Sequence, residues 1–317
     1  MGSYATGLTL KVKRLPIRGE TVLASGYRVD YGGKGSNQAV GCARLGGDVS
    51  FVARIGMDGF GEMALQLYRE EGIDVAYVRR SSEHATGVGF ILVEESGNNC
   101  IALDPGANEL LSDQDVQDSK SALKRASVVL TQLEIPVDTA KSALALGRAN
   151  GARTVLNPAP VRPLPPAVLQ LVDVVTPNQT EAKVLTGRDP EHRDAPEQVA
   201  HDLIRAGVRT VVMTLGERGA LIVTESSCLH VPAMPMQAVV DTTGAGDAFN
   251  AGLATALASG ENLEAAVRFA VVTGGLAVTK EGVIPSLPTR EQVTEFYAQR
   301  GLAAPQWLKS SKQVKET

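Results

Sequence analysis

The chain has 317 residues with a formal net charge of −4, and 44% of them are hydrophobic, enough for one large core with a small appendage. Basic and acidic residues are interspersed without an arginine- and lysine-rich stripe, so no nucleic-acid partner is expected. No apolar run reaches the roughly 18 residues that span a bilayer, so no membrane association is expected, and three widely spaced cysteines favour a reduced, cytoplasmic protein.

The N-terminal third contains short segments in which apolar and polar residues alternate, a pattern that predicts β-strands. The clearest are LTLKVKR (Leu8–Arg14), TVLASGYRVD (Thr21–Asp30) and TGVGFILVEE (Thr86–Glu95). Several would expose one polar face, which favours an antiparallel sheet with one open side. We expect the segments at about 8–30 and 85–103 to form a small sheet attached to the body.

From about residue 127, short apolar runs alternate with helical stretches. The runs SVVLTQL, RTVLN, VDVVTPN and RTVVMTLG are separated by segments such as VDTAKSALALGRANG. This alternation indicates βα units and a mainly parallel sheet with helices on both faces. The last third predicts helices over Ala248–Ser259, Leu263–Thr279 and Arg290–Arg300, and the polar tail 304–317 is expected to be frayed. The sequence therefore predicts one α/β domain over residues 1–317.

The first glycine-rich motif is YGGKGSNQAVGCARLGG (Tyr31–Gly47), a tight turn that opens a helix. Lys34 and Asn37 lie at the mouth of that helix. The motif is not a Walker A loop, because Gly35 follows the lysine and the leading glycine spacing is absent. Taken alone, it is equally consistent with an ordinary strand–turn–helix junction.

The second motif, VDTTGAGDAFNAG (Val240–Gly252), places Asp247 directly after three small residues at the start of a helix. Unpaired N–H groups at such a helix start can hold a phosphate in transfer. The helix dipole predicts a lowered pKa for Asp247. A weak base still suits phosphoryl transfer, because the loose transition state needs the hydroxyl oriented first and its proton removed late. The alternative is that Asp247 only caps the helix.

The third motif, TPNQTEA (Thr176–Ala182), follows an apolar run and predicts the start of another helix. Asn178 and Glu181 would lie one turn apart on the same helix face. An amide and a carboxylate in that arrangement can order water on a magnesium ion that is bound to nucleotide phosphates. A simple cap at Asn178 with a first-turn glutamate explains the same pattern.

Together these motifs resemble those of the ribokinase-like, or PfkB, carbohydrate kinases, and the resemblance covers nearly the whole chain. GGKGSNQAVGCARLGG is similar to the first family signature and DTTGAGDAFNAGL to the second. The shorter motifs LDPGAN, TQLEIP, LNPAP, TPNQTEA and VMTLGERGA follow between them in the order found in ribokinases. The resemblance implies a three-layer α/β fold with a small β-sheet lid. It also implies ATP-dependent phosphorylation of a primary hydroxyl of a sugar, as in ribokinases.

The resemblance also implies roles for individual residues. Asp247 resembles the catalytic base, and the anion hole corresponds to Gly244, Ala245 and Gly246. The positions that hold the sugar in ribokinases correspond to Gly33, Lys34, Asn37, Glu134 and Asp247. The positions on the ATP side correspond to Asn178, Thr214, Gly216 and Gly244, and Mg²⁺ is linked through water to Glu181.

The segment AVTKEGVIPS resembles the monovalent-cation loop of ribokinases, which implies K⁺ as an activator. The implied ligands are the Asp241 side chain, the carbonyl groups of Thr243, Ala277, Lys280 and Gly282, and Ser286. Oxygen ligands that are mostly neutral suit a large, weakly charged cation. The resemblance further implies a homodimer formed through the lid, and such pairing would cover exposed sheet edges.

The sequence departs from ribokinases at its start. They carry a strand that runs into Gly-Ser-x-Asn-x-Asp, whose Asn and Asp hold sugar hydroxyls, whereas GSYATG places Ala5 and Gly7 at those positions. Charge-assisted hydrogen bonds lost in this way are worth roughly 1.5–3 kcal/mol each. Tyr4 could instead stack on or cap a different substrate, and the strand expected before Gly2 is not in the sequence.

Three functional hypotheses therefore follow from the sequence. The first is a ribokinase-type pentose kinase. The second has the same chemistry with a nucleoside, another sugar or a polyol as the acceptor. The third is a protein that binds sugars or nucleotides without catalysis, and the intact Asp247 with its small-residue turn argues against it.

Overall fold

The structure is a computed structural model that describes residues 1–191 and 193–309. The strands are β1 Ala5–Val12, β2 Ala24–Gly32, β3 Ala53–Gly56, β4 Val78–Ser81, β5 Gly87–Glu94, β6 Asn99–Asp104, β7 Val128–Thr131, β8 Arg153–Leu156, β9 Val174–Val175, β10 Thr210–Thr214, β11 Ala220–Val223 and β12 Cys228–Val231. The helices are α1 Lys34–Arg44, α2 Gly59–Glu70, α3 Asp113–Asp118, α4 Lys120–Leu123, α5 Val137–Ala149, α6 Pro166–Leu169, α7 Gln179–Thr186, α8 Pro196–Arg205, α9 Ala245–Ala258, α10 Leu263–Ala277, α11 Arg290–Gln299 and α12 Gln306–Lys309. Within the described ranges, no helix is both long enough and apolar enough to cross a membrane.

A six-stranded sheet with the order β12-β11-β10-β9-β8-β7 forms the centre of the body. Strands β7 to β10 are parallel to one another, and β11 and β12 add an antiparallel edge. Successive residues of β10 point to opposite faces, so Val212 packs with α9 and α10, while Val211 and Met213 pack with α7 and α8. Both faces of the sheet are therefore covered by helices, which confirms the predicted three-layer α/β fold.

A second sheet of four strands, in the order β2-β1-β5-β6, lies apart from the body, and we call it the lid sheet. Strand β1 runs antiparallel to β2 but parallel to β5, and β5 runs antiparallel to β6. The prediction of an antiparallel sheet is therefore wrong for the central pair β1 and β5. The connection from β1 to β5 contains β2, α1, β3, α2 and β4, and it is long enough to return the chain to the same end of the sheet.

The first four residues lie in the body rather than in the lid sheet. The Met1 amino group donates to the Leu130 carbonyl at 3.0 Å, and the Gly2 N–H donates to the Val52 carbonyl at 3.1 Å. These two contacts place the start of the described chain between β7 and the segment that enters β3. Residues 1–4 thereby connect the six-stranded sheet to the separate β3–β4 pair.

Tyr4 is fully buried and takes part in the body core. Its ring contacts the Tyr68 ring edge-on with the centroids 6.2 Å apart, and its hydroxyl lies 3.1 Å from the Thr6 hydroxyl. Because side chains alternate along an extended chain, Tyr4 points away from the face that carries Ser3 and Ala5. The hypothesis that Tyr4 stacks on a substrate is therefore wrong.

The C-terminal segment differs in part from the expected frayed tail over 304–317. Ala304 and Leu308 are buried in the core, and the Trp307 ring contacts the Phe269 ring with the centroids 4.9 Å apart. The Arg290 guanidinium donates to the carbonyls of Trp307 and Leu308. Residues 304–309 are thus packed on the body, and residues 310–317 lie outside the described residues.

The glycine-rich turn before α1 packs directly on the first residues of the chain. A Cβ atom on Gly35 would lie 2.4 Å from the Ser3 nitrogen and 2.6 Å from the Gly2 Cα atom. The Gly35 N–H also donates to the Ser3 hydroxyl at 3.3 Å. Only a residue without a side chain can occupy this position without displacing main-chain atoms.

We therefore expect Gly35→Ala to lower the free energy of unfolding by about 2 kcal/mol or more, because the clashing atoms belong to the main chain. Gly59→Ala is the matched control, since Gly59 also begins a helix but a Cβ there would have no heavy atom within 4 Å. The control should be neutral or stabilising by about 0.5–1 kcal/mol. Equal denaturant midpoints for the two variants would contradict this close packing.

Candidate active site

The N-termini of α1, α7 and α9 meet at one end of the central sheet. The Asn37 amide of α1 donates to Asp247 of α9 at 2.8 Å. The charges of Lys34 and Asp247 both act on the Glu181 carboxyl of α7. Three helix starts, each with partial positive charge, thus face one space, which favours an anionic ligand there.

Helix α9 begins with a turn that requires glycine. Gly244 has φ +82°, and a Cβ atom there would lie 2.8 Å from the Val283 Cγ1 atom. No acceptor among the described residues takes the N–H groups of Gly244 and Gly246. The Ala245 N–H, which we expected to share in the anion hole, instead donates to the Thr242 carbonyl at 3.2 Å. Within the described residues, the N–H groups of Gly244 and Gly246 are therefore free at this helix start.

Asp247 lies in the first turn of α9 and is only 5% exposed. Its two carboxylate oxygens accept hydrogen bonds from Asn37 at 2.8 Å and Gln38 at 2.9 Å. Burial raises the pKa of Asp247, although the Lys34 charge and these two hydrogen bonds oppose the shift. The expected lowering of this pKa is therefore wrong, because the cost of removing the carboxylate from water exceeds the lowering by Lys34, Asn37 and Gln38.

Gln38 is a site residue that the sequence analysis missed. It donates to Asp247 and also to the Asn157 Oδ1 atom at 3.1 Å, and its own Oε1 atom accepts from Gln132. The sequence did contain a pattern that could have identified Gln38, because it lies four positions after Lys34 and therefore on the same face of α1. These contacts connect the acidic group to the segments after β7 and β8.

A second set of hydrogen bonds fixes the first turn of α9 from behind. The Thr176 hydroxyl after β9 donates to the Asn250 Oδ1 atom at 2.7 Å, and the Asn250 amide donates to the Gly246 carbonyl at 2.8 Å. All of these side chains are buried. A buried network whose polar groups are paired restricts the conformations of its members, so the helix start is held in place before a ligand arrives.

The predicted sugar-binding residues surround the other side of Asp247. One oxygen of Glu134 accepts from the Ser3 hydroxyl at 2.5 Å and from the Lys34 N–H at 2.7 Å. Asn37 is buried, and its Oδ1 atom has no partner among the described residues. Gly33 has φ +85°, and a Cβ there would lie 2.6 Å from the Tyr4 Cα atom. A buried acceptor beside a buried carboxylate suits a ligand that brings hydroxyl groups.

The predicted nucleotide residues lie at the start of α7 and at the end of β10. Asn178 and Glu181 form a capping box, with both hydrogen bonds at 2.8 Å. The Thr214 N–H donates to the Pro177 carbonyl at 2.9 Å, which places the turn at Gly216 beside α7. The Arg218 guanidinium reaches the same helix start and donates to Gln179 at 3.0 Å. Burial raises the pKa of Glu181.

The segment implied to bind a monovalent cation is assembled around Asp241. Its two oxygens accept from the N–H groups of Thr243 at 2.9 Å and Gly282 at 3.0 Å. Although burial raises the pKa of Asp241, hydrogen bonds to Thr243 and Gly282 hold it below its ordinary value. The Val240 N–H also donates to the Val278 carbonyl at 2.8 Å. The two stretches that would supply the ligands are thus held together next to α9.

Comparisons with known proteins agree with this geometry. Residues 1–290 match the family described as pfkB family carbohydrate kinase. The ribokinase of Haemophilus influenzae is 37% identical over 296 residues, which are 93% of this chain and 96% of that protein. The deoxyribokinase of Salmonella typhi is 34% identical, over 93% of this chain and 97% of that protein.

Solved structures give the same result at the level of the fold. The structure of Arabidopsis thaliana ribokinase complexed with ribose and ATP has a TM-score of 0.87 and 32% identity, over 93% of this chain and 96% of that one. The ribokinase of Thermotoga maritima has a TM-score of 0.86 and 33% identity, over 94% and 97% of the two chains.

The hydrogen bond from Gln38 gives a testable pH effect. We expect Asp247 to act in its ionised form as a proton acceptor, so activity should fall as the pH drops through its raised pKa, above the ordinary aspartate value of about 3.9. Gln38→Leu removes a donor that lowers this pKa, so the acidic limb of kcat/KM should move to higher pH. Gln66→Leu, an exposed amide on α2, is the control and should leave the limb in place. A limb that stays fixed or moves to lower pH in Gln38→Leu would contradict this role.

Proposed function

The chain belongs to the pfkB family of carbohydrate kinases and is an ATP-dependent sugar kinase, and we propose that Asp247 is the catalytic base for transfer of the γ-phosphoryl group to a primary hydroxyl of a pentose. The observation that carries this proposal is the buried Asp247 carboxylate beside the free N–H groups of Gly244 and Gly246. A hydroxyl at the carboxylate and a phosphate at the N–H groups would lie next to each other, as in-line transfer requires.

The side chains around Asp247 account for the steps of the transfer. Asn37 and Gln38 fix the two carboxylate oxygens, and each oxygen keeps a lone pair for the acceptor hydroxyl. The hydroxyl oxygen would attack the γ-phosphorus while the bond from that phosphorus to the β-phosphate oxygen breaks and ADP leaves, and the hydroxyl proton would pass to Asp247 late in the step. The N–H groups of Gly244 and Gly246 would receive the charge of the transferring group, and the Lys34 charge also acts on Asp247.

The acceptor would be held by groups whose hydrogen-bonding capacity is incomplete in the protein alone. The buried Asn37 Oδ1 atom has no partner in the described ranges and can accept a sugar hydroxyl. Glu134 directs one oxygen to Ser3 and to the Lys34 N–H, which leaves its other oxygen for the ligand. Gly33 allows the turn to approach the first strand closely enough to bring these groups together.

On the nucleotide side, Asn178, Thr214 and Gly216 would bind ATP, and Gly244 would contact its transferring phosphate. The residues present also fit Mg²⁺, because Glu181 offers a carboxylate within range of the charges of Lys34 and Asp247. Oxygen ligands and water are what Mg²⁺ prefers, and the ion would neutralise phosphate charge when bound. The Arg218 guanidinium at the start of α7 would add positive charge on this side.

The loop around Asp241 fits a monovalent cation. The proposed ligands are the Asp241 carboxylate, Ser286 and the carbonyl groups of Thr243, Ala277, Lys280 and Gly282. Support comes from the hydrogen bonds that hold the two contributing stretches against each other beside the start of α9. A bound K⁺ ion would add fixed positive charge near the N–H groups of Gly244 and Gly246, and so stabilise the negative transition state.

One observation favours a second candidate acceptor. Ala5 and Gly7 place no polar side chain where ribokinases hold sugar hydroxyls, so a sugar with fewer hydroxyls would lose less in this site. A deoxyribokinase is among the relatives that match over nearly the whole chain. Deoxyribose is therefore the alternative to ribose that we test directly.

An ATP-consumption screen over ribose, deoxyribose, hexoses, polyols and nucleosides tests the proposed function. We expect turnover with a pentose, dependent on Mg²⁺ and faster with K⁺ than with tetramethylammonium. Asp247→Asn keeps the shape of the side chain but removes the base, so its kcat should fall by about 10²-fold or more. Turnover that survives in Asp247→Asn would contradict the mechanism, and sugar binding without turnover in the unmodified protein would favour the non-catalytic binder.

We also propose that two copies associate through the outer face of the lid sheet. This face carries the apolar side chains of Leu8, Leu10, Tyr27, Val29 and Phe90, which the strand registers bring side by side. Tyr27 is 78% exposed and Phe90 is 49% exposed. A contiguous exposed apolar patch is the usual mark of an association surface. Pairing with a second copy would remove it from water.

Substitution on this face tests the dimer. Phe90→Asp introduces a charge at the centre of the patch, and we expect it to convert a dimer to a monomer in size-exclusion chromatography with light scattering. Leu302→Asp is the matched control, because Leu302 is an exposed apolar residue outside the lid sheet. A monomeric unmodified protein, or a Phe90→Asp variant that remains dimeric, would contradict the proposed interface.

We place the activity in the cytoplasm. Its co-substrate is ATP, and Cys42, Cys100 and Cys228 are all free thiols in the structure. Free thiols on exposed positions such as Cys100 are typical of a reducing compartment. Cell fractionation tests this proposal, which recovery of the protein with secreted or membrane material would contradict.

A further inference from the structure

We propose that Asp30 binds the acceptor and determines its specificity, by accepting hydrogen bonds from two neighbouring hydroxyl groups. Asp30 belongs to neither glycine-rich motif and has no role in the site described above. The proposal rests on the proposed sugar-kinase function and names one contact of that same site.

The strand register places Asp30 on the face of the lid sheet that turns toward the site. Gly7 of β1 pairs with Asp30 of β2, and Ala5 pairs with Gly32, so these four residues share one face. Ser3 precedes them with the same alternation, and its hydroxyl donates to Glu134 in the site. Asp30 is therefore three residues along the chain from Gly33, where the turn begins, a rise of about 10 Å for an extended strand.

This face is open at the centre and has little polar character there. The positions around Gly7 on this face are Ala5 of the same strand, Gly32 of β2, and Gly87 and Gly89 of β5. Among the residues of these four strands, all within the described part of the chain, Asp30 is the one acidic residue on the face. The small residues leave space above the site, and Asp30 lies at the edge of that space.

The Asp30 Cβ atom lies close to the place that the Cβ atom of a side chain at position 7 would occupy. An ideal Cβ atom on Gly7 would lie 3.8 Å from the Asp30 Cβ atom. The carboxylate that is missing from β1 is thus present on the directly opposed residue of β2. Cross-strand neighbours on one face can reach the same ligand group, because their Cβ atoms are only about 5 Å apart.

The Asp30 carboxylate is oriented but keeps free acceptor capacity. The Arg28 Nε atom donates to the Asp30 Oδ2 atom at 2.5 Å, and the Arg28 guanidinium also donates to Glu281 at 2.9 Å. Glu281 precedes Gly282, which donates to Asp241, so this chain of contacts connects β2 to the body beside α9. The Asp30 Oδ1 atom has no partner among the described residues, and the side chain is 33% exposed.

The chemistry of this arrangement selects a ligand with adjacent hydroxyls. An ionised carboxylate accepts but does not donate, and its two oxygens match two neighbouring O–H donors. A ligand that lacks one of these hydroxyls loses a charge-assisted hydrogen bond. Asp30 therefore favours ribose over deoxyribose, in place of the polar groups missing at Ala5 and Gly7.

Steady-state kinetics on Asp30→Asn test the proposal. The amide keeps the size but loses the charge, so we expect KM for ribose to rise about tenfold, equivalent to about 1.4 kcal/mol, with kcat within about twofold. KM for deoxyribose should change much less. Glu95→Gln, an exposed carboxylate between β5 and β6, is the matched control in the lid sheet and should change neither value.

Moving the carboxylate across the strand pair distinguishes binding from a structural role. Gly7→Asp combined with Asp30→Ala should recover part of the ribose KM, because the nearest heavy atom to a Cβ at Gly7 is 3.7 Å away and an aspartate fits. Arg28→Gln removes the ion pair but leaves the Asp30 carboxylate, so it should raise KM less than Asp30→Asn. Thermal unfolding of each variant confirms that it is folded.

The outcomes separate this inference from the proposed function. A ribose KM that is unchanged in Asp30→Asn, with an active unmodified enzyme, would overturn the role of Asp30 alone. An Arg28→Gln variant that raises KM as much as Asp30→Asn, and equally for both sugars, would show a structural role and would also overturn it. An unmodified protein that phosphorylates no sugar would overturn the proposed function and this inference together.

Discussion

The buried carboxylate of Asp247 is the constraint on which the rest of the site depends. A charged group removed from water is stable only if other groups replace the lost solvation, and here Asn37 and Gln38 donate to both oxygens while the Lys34 charge lies near. The same burial makes the carboxylate a better base than an exposed aspartate. The burial that costs stability in the free protein is thus the same burial that raises the pKa of this carboxyl.

The surrounding polar network explains why the site occupies one end of the central sheet. Gln132, Asn157 and Thr176 follow β7, β8 and β9, respectively. Because parallel strands end at the same edge of the sheet, these three side chains lie near one another. These side chains reach α1 and the first turn of α9, so the sheet sets the distance between the two helix starts. A change in any of these buried polar residues would leave a partner unpaired, which costs about 1–3 kcal/mol.

The two faces of the lid sheet carry different kinds of residue. Its inner face has small residues and Asp30, and its outer face has exposed apolar side chains such as Tyr27 and Phe90. The Arg28 contact with Glu281 joins this sheet to the loop around Asp241. The closure, cation binding and association of two copies that we propose would therefore act on connected segments, and closure of the lid sheet would exclude water from the site.

Local sequence patterns determined most of the architecture by themselves. Alternation of apolar runs with helical stretches predicted the parallel sheet, and the two glycine-rich motifs predicted two of the helix starts, because φ values near +85° at Gly33 and Gly244 are accessible to few other residues. The resemblance carried by the motifs also predicted Asn37, Glu134 and Asp247 as site residues, and in the structure Asn37 donates to Asp247 while Glu134 accepts from the Lys34 N–H. The tertiary structure alone decided the properties that depend on burial and on strand register. The raised pKa of Asp247, the buried position of Tyr4, the parallel pairing of β1 with β5 and the pairing of Gly7 with Asp30 each depend on residues distant in the chain, so no local pattern could reveal them.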